Sequence, residues 1–197
     1  NYYKDNNIVN ELILYNKGVR DDSDINVYRD LVTNAFVLDK IKLQNYENKG
    51  INYWNCNNIY EARKKTFDDD NRRYNQLNNI NYNNLLDFGC GNGGLMKIIK
   101  DNNKNKNIIG LELNNEIRSY LNKESFQVFS NIDDIPKNYN FDCIMLNHVL
   151  EHLYDPINTL KSIKNKMYKD TLLIIEVPHA NDILINDYNC DKFKKFT

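Results

Sequence analysis

The sequence predicts an α/β protein of the doubly wound, Rossmann-like kind with a mostly parallel sheet. Three observations predict it. From Leu85 to Val177, short apolar strands alternate with helical segments. A glycine-rich turn, Gly89-Cys90-Gly91-Asn92-Gly93-Gly94, sits between the first of these strands and the first helix. An acid, Glu112, stands at the end of the next strand, the place where such folds meet a ribose. A chain of 197 residues, 41% hydrophobic, can bury one core of this kind and carry an appendage.

The elements follow in order. Val27 to Arg29 and Ala35 to Leu38 read as short strands around a turn at Thr33-Asn34, a small hairpin. Asn58 to Leu77 reads as a helix with Asn58 as N-cap and an apolar stripe of Ile59, Ala62, Phe67, Tyr74 and Leu77. In it, Asp68 and Asp69 precede Arg72 and Arg73 by one turn. That spacing fits i,i+4 ion pairs on a solvated face, or an Arg or Tyr turned toward a bound ligand. Strands are expected at 85–88, 107–113, 126–129, 141–146 and 171–177, with helices at 93–100, 116–122 and 156–167. We expect three regions: residues 1–80 as a cap over the substrate pocket, 81–180 as the core, and 181–197 as the start of a further substrate-side region. The absence of an initial Met and the short stretch after Val177 are expected to mark a C-terminally truncated fragment.

Composition narrows the partners. With 26 basic and 27 acidic residues, no net field draws the chain to nucleic acid or to an anionic membrane. No apolar run reaches the length of a membrane helix, and residues 1–7 lack the pattern of a secretory signal. Cys56, Cys90, Cys143 and Cys190 form no C-x-x-C pair, as expected of free thiols in a reducing cytoplasm. The abundance of Asn beside Lys, Ile and Tyr fits codon bias in an AT-rich genome. Oligomeric state is not legible.

Gly89, Gly91 and Gly94 satisfy G-x-G-x-x-G, which on its own indicates only a nucleotide. The discriminating residue is Asp87, two positions before the first glycine. A carboxylate there opposes the pyrophosphate of a dinucleotide but suits the ammonium and sulfonium of S-adenosylmethionine. The sequence thus points to the methyl donor as cofactor. An NAD(P)-binding oxidoreductase is the runner-up, together with a non-catalytic domain that binds S-adenosylmethionine alone.

Two motifs carry a resemblance. The run from Leu85 to Gly93, Leu-Leu-Asp-Phe-Gly-Cys-Gly-Asn-Gly, resembles the first motif of class I S-adenosylmethionine-dependent methyltransferases. The run from Phe141 to Leu153 resembles the fourth-strand motif of the subgroup that includes ubiquinone-biosynthesis and surface-polysaccharide methyltransferases. The resemblance implies that Asp87, Gly89, Cys90 and Gly91 hold the methionine part, and that Glu112, followed by Leu113, takes the ribose. It places Asn131 and Ile132 beside the adenine, with Asp133 and Asp134 as alternative anchors, and Asn147 and His148 near the sulfonium. It implies methyl transfer to a small acceptor, a hydroxyl of a sugar or sugar nucleotide, with quinone-like or lipid acceptors open. The family's sheet usually ends in two further strands, not visible before Thr197.

His148, His152 and His179 all follow the last two expected strands, at the edge where an acceptor would lie, and each is a candidate general base. His148-Val149-Leu150-Glu151-His152 also spells H-x-x-E-H, a zinc pattern that requires one continuous helix. Asp155-Pro156 reads as an N-cap and first helical residue, so that helix is not expected, and no metal is assigned.

Overall fold

The computed structural model describes residues 10–18, 23–39 and 46–178. They fall into two compact units, one over residues 44–177 and one that includes a small antiparallel sheet near the start of the chain. That sheet has the order β1-β2-β3, with β1 Leu12–Asn16, β2 Val27–Asp30 and β3 Phe36–Leu38. The hairpin of β2 and β3 matches the sequence reading, whereas β1 was not foreseen. Its alternation is broken by Asn16, beside a register shift between Leu14 and Asn16. Asp30 ties the sheet together, accepting from the backbone of Asn10, Glu11 and Thr33 and from the Thr33 hydroxyl.

The larger unit contains α1 Ile59–Gln76, β4 Asn84–Phe88, α2 Gly94–Asn102, β5 Asn107–Leu111, α3 Asn115–Lys123, β6 Gln127–Phe129, β7 Cys143–Asn147, α4 Pro156–Lys164 and β8 Leu172–Glu176. Each boundary lies within a few residues of its predicted place. The caps explain the helix starts: Asn58, Asn114 and Asp155 each accept from a backbone N–H in the first turn, and Pro156 opens α4.

The strands pair in the order β6-β5-β4-β7-β8, all parallel. Side chains alternate between two buried clusters, as the period of two requires. Leu85, Cys143 and Met145 pack toward Ile59, Met96, Ile99 and Leu121 of α1, α2 and α3. Leu86, Ile144 and Leu146 pack toward Phe141 and Ile163 on the α4 side. Both faces of the sheet are covered, so its central strands are largely apolar, with Asp87 of β4 the buried charged exception.

Two details of α1 differ from expectation. Phe67 is exposed, because the stripe that meets the core runs through Ile59, Ala62 and Leu77. Arg72 and Arg73 pair with Asp69 and Asp70 at i,i+3 rather than i,i+4, and both also reach Glu176 at the end of β8.

Candidate active site at the carboxyl edge of the sheet

From β4 the chain builds outward through β5 to β6 and then crosses back to add β7 on the other side of β4, and a crevice opens at that reversal of strand order. Here it is a cleft of about 770 Å³, lined by the turns after β4, β5, β6 and β7 and by α1. That volume suits a nucleoside-sized ligand with room beside it.

The floor is the glycine loop. The N–H groups of Gly89 and Cys90 donate to the Leu111 carbonyl, which fastens the loop to β5. Gly89 has φ +78°, and a Cβ there would overlap Val149 Cγ2, so neither the backbone nor the space admits another residue. Gly94 has an ordinary φ; its missing Cβ makes room for the Asp70 carboxylate of α1. The sequence pattern does not foretell this second use of a loop glycine.

Acids surround the loop. Asp87 is 4% exposed, and among the described residues no hydrogen bond reaches its carboxylate. Burial, then the neighbouring charge of Asp70 and more weakly Glu112, push it up to about 7, with Arg73 pulling the other way. Glu112, just past β5, accepts from Gly91 N at 3.0 Å and Asn114 N at 2.8 Å. Burial raises its carboxyl in spite of those bonds. Each oxygen still has a lone pair to offer a ligand. Burial also drives the Cys90 thiol far up, so it stays protonated and unreactive.

Beyond the loop, Leu113 presents an exposed apolar side chain to the cleft, opposite in character to the buried Ile132. Asn131 uses its side chain to accept from Asp133 N and so shapes the short helical turn that follows β6.

The histidines differ. His148 follows β7 with φ +53°, held there by its N–H to the Glu176 carbonyl at 2.8 Å. Its ring bridges two carboxylates, Nδ1 at 3.3 Å from Glu151 and Nε2 at 3.1 Å from Glu176. His152 stands on a turn of 3₁₀ helix, Leu150–His152. Burial lowers its tendency to protonate; Glu151 opposes that, and His148 and Lys49 add to it. The turn and the left-handed His148 interrupt the continuous helix that H-x-x-E-H zinc binding requires.

The cleft thus collects Gly89, Cys90, Gly91, Glu112, Leu113, Asn131, Ile132, Asn147, His148 and His152 from the sequence reading. Asp87 lies beneath rather than on its lining, and His179 is outside the described residues. Sequence reasoning missed Trp54, Thr66 and Asp70. Trp54 sits over Gly91, where a Cβ would come within 3.1 Å of its ring. The one available signal was the buried-side spacing of Thr66, Asp70 and Arg73 on α1.

A family model described as a methyltransferase domain matches residues 38–194. The chain belongs to the methyltransferase-domain family. Among curated members it is similar to (S)-tetrahydroprotoberberine N-methyltransferase of Eschscholzia californica, 24% identical over 100 residues, covering 47% of this chain and 29% of that protein. It is 25% identical over 100 residues to a probable (S)-tetrahydroprotoberberine N-methyltransferase 2 of Papaver bracteatum, covering 47% and 28%. The chain therefore spans less than a third of the length of the curated relatives it matches. Among solved structures, an amino pentose methyltransferase from Micromonospora echinaspora with S-adenosylmethionine bound aligns with a TM-score of 0.50 at 15% identity, over 62% of this chain and 57% of that one. At that identity the likeness shows the shared fold of this methyltransferase domain.

Proposed function

We propose that the cleft binds S-adenosylmethionine and that the whole protein transfers its methyl group to a small-molecule acceptor. The observation that carries this reading is the charge around the glycine loop. Where a dinucleotide would set its pyrophosphate, this chain has Asp87 buried below the loop and Glu112 beside it. The Asp87 carboxylate in a partly desolvated floor opposes a diphosphate and favours a ligand with an ammonium and a sulfonium, while Glu112 stands where either ligand would set a ribose. The family match and the methyltransferases among its relatives support the same ligand.

The residues present fit it. Glu112 would accept from the ribose hydroxyls, Leu113 and Ile132 would flank the adenine with Asn131 at its edge, and Gly89, Cys90 and Gly91 would let the methionine part approach the backbone. Asn147 and His148 would line the region of the sulfonium. The bound donor supplies an electrophilic methyl carbon, and the protein's task is then to orient the acceptor and hold its proton. Of the candidate bases, His152 is favoured. Burial lowers its tendency to protonate and one ring nitrogen stands 3.8 Å from Glu151, whereas both ring nitrogens of His148 lie within 3.3 Å of carboxylates. His148 acts in this reading as a brace between Glu151 and Glu176.

A hydroxyl acceptor on a sugar or sugar nucleotide follows from the subgroup resemblance, and a nitrogen acceptor follows from the names of the curated relatives. The cleft wall carries Asp69, Asp133 and Asp155 besides its floor acids, which weighs against the phosphorylated form of a sugar acceptor. Isothermal titration of the 197-residue chain with S-adenosylhomocysteine and with NADH tests the donor assignment. Micromolar binding of the first and none of the second is expected; the reverse would overturn the reading. A panel of hydroxyl and amine acceptors, assayed with labelled methyl donor, then separates the two acceptor classes.

A further inference from the structure

At the opposite edge of the sheet from the cleft lies a second cavity, of about 220 Å³. It is formed by the end of α1, the 3₁₀ turn Leu77–Asn79, α2 and the segment that leads into β4. Phe88, at the far end of β4, lines the cleft, whereas Tyr82 of the cavity lies before the strand begins at Asn84. The length of β4, roughly 13 Å, therefore separates the two spaces, and one small ligand cannot fill both.

The walls are mixed. Leu77, Ile80 and Ile99 supply apolar surface, and Tyr74 and Tyr82 supply two phenols. Asn78 and Asn103 add amides, and Lys106 brings the one charge among the described residues that line the space.

The geometry points to this cavity as a second binding site, for a small carboxylate with an apolar body of about the size of benzoate.

Three observations carry it. The first is the cation. Lys106 Nζ stands 4.4 Å from the centre of the Tyr82 ring and donates to the Tyr82 carbonyl, which fixes the ammonium at the cavity. An ammonium has three N–H donors, and among the described residues no carboxylate pairs with Lys106. Lys100 Nζ donates to the carbonyls of Lys104 and Lys106, at 3.3 and 2.8 Å, and so sets a second ammonium beside the same loop. With these charges and no acid in the wall, an anion is favoured over a cation.

The second is the pair of phenols. Tyr82 is only 5% exposed, yet among the described residues neither its hydroxyl nor that of Tyr74 makes a hydrogen bond, and neither is fully closed off. A buried hydroxyl of this kind needs a partner, and a carboxylate oxygen can be one. Burial, then Tyr74 and Cys143, push the Tyr82 phenol up to about 12, so it keeps the proton it would donate. The third is size. A cavity of about 150 Å³ takes a benzene ring, so this one has room for a ring and a carboxylate and too little for a nucleoside.

The test is a titration of the 197-residue chain at pH 7, followed by amide NMR, with benzoate, neutral benzamide and cationic benzylamine. Benzoate is expected to bind saturably in the millimolar range and to shift the amides of Tyr82, Asn103 and Lys106 but not those of Gly89 and Gly91. Benzylamine is expected to bind about tenfold more weakly or not at all. In Lys106→Gln, benzoate is expected to weaken about tenfold while benzamide changes less than twofold. Lys106→Arg, which keeps the charge, is expected to recover most of the loss. Equal binding of benzoate and benzylamine to the unaltered chain would overturn the inference, as would equal losses of benzoate and benzamide in Lys106→Gln. Shifts at the glycine loop in place of the cavity, or no saturable shift with benzoate at all, would overturn it too, and none of these results bears on the methyl donor.

Discussion

Replacing Asp87 with Asn should move stability and binding in opposite directions. The Asp87 carboxyl is buried, receives no hydrogen bond from the described residues, and is pushed up from 3.8 to about 7, first by burial and then by Asp70. The sign follows from linkage. Between pH 4 and pH 7 the folded protein holds a proton that the unfolded chain has released, so stability falls as pH rises through that window and levels off above it. A rise from 3.8 to about 7 corresponds to about 4 kcal/mol at the plateau. Relaxation and water entry around the ionised group reduce the expected gain for Asp87→Asn to about 2–4 kcal/mol at pH 8, shrinking to nothing by pH 4. The uncharged amide should at the same time weaken S-adenosylhomocysteine binding by about 1.5–3 kcal/mol, the usual loss of a charge-assisted bond. Urea unfolding of the empty protein at pH 8 and pH 4 reads the first quantity, and titration calorimetry reads the second. A variant less stable than the parent at pH 8, or one that binds with unchanged affinity, would refute the argument that a buried anion is kept here for a cationic ligand.

Three further outcomes follow from the geometry. Gly89→Ala combines a left-handed φ with an overlap against Val149, and should lower unfolding free energy by about 2 kcal/mol or more; a smaller loss in urea titration would mean that the Val149 side chain yields freely. Glu176 is held down at about 2 by Arg72 first and then Arg73, so its contribution is present above pH 4.5 and lost as pH falls toward 2. Because Arg72 is about half exposed and screened, Glu176→Gln should cost only about 1–2 kcal/mol at pH 7, with the gap to the parent narrowing at pH 3. The imidazole of His152 should titrate by NMR with a midpoint below 6.5; a midpoint at or above that value would remove its claim to be the neutral base.

The order of strands and helices from Leu85 onward was legible because each element carries its own local signal. Asp155 is a cap, Pro156 is an N1 residue, and β4, β5 and β7 are short, largely apolar runs that only a sheet covered on both faces would bury. The glycine loop and Glu112 were legible for the same reason: a tight turn after a strand and an acid after the next one are fixed by neighbours in sequence. β1 escaped notice because a short, half-exposed edge strand has too weak an alternation to announce itself.

The sequence by itself determined the sheet, its helices and the position of the loop, since these depend on period, caps and turn residues within a few positions of one another. Only the tertiary structure decided which charges meet. Nothing local connects Arg72 and Arg73 with Glu176, about a hundred positions away, or places Asp70 beside Gly94. Those contacts depend on how α1 lies along the sheet, and Coulomb interactions follow distance in space rather than distance along the chain.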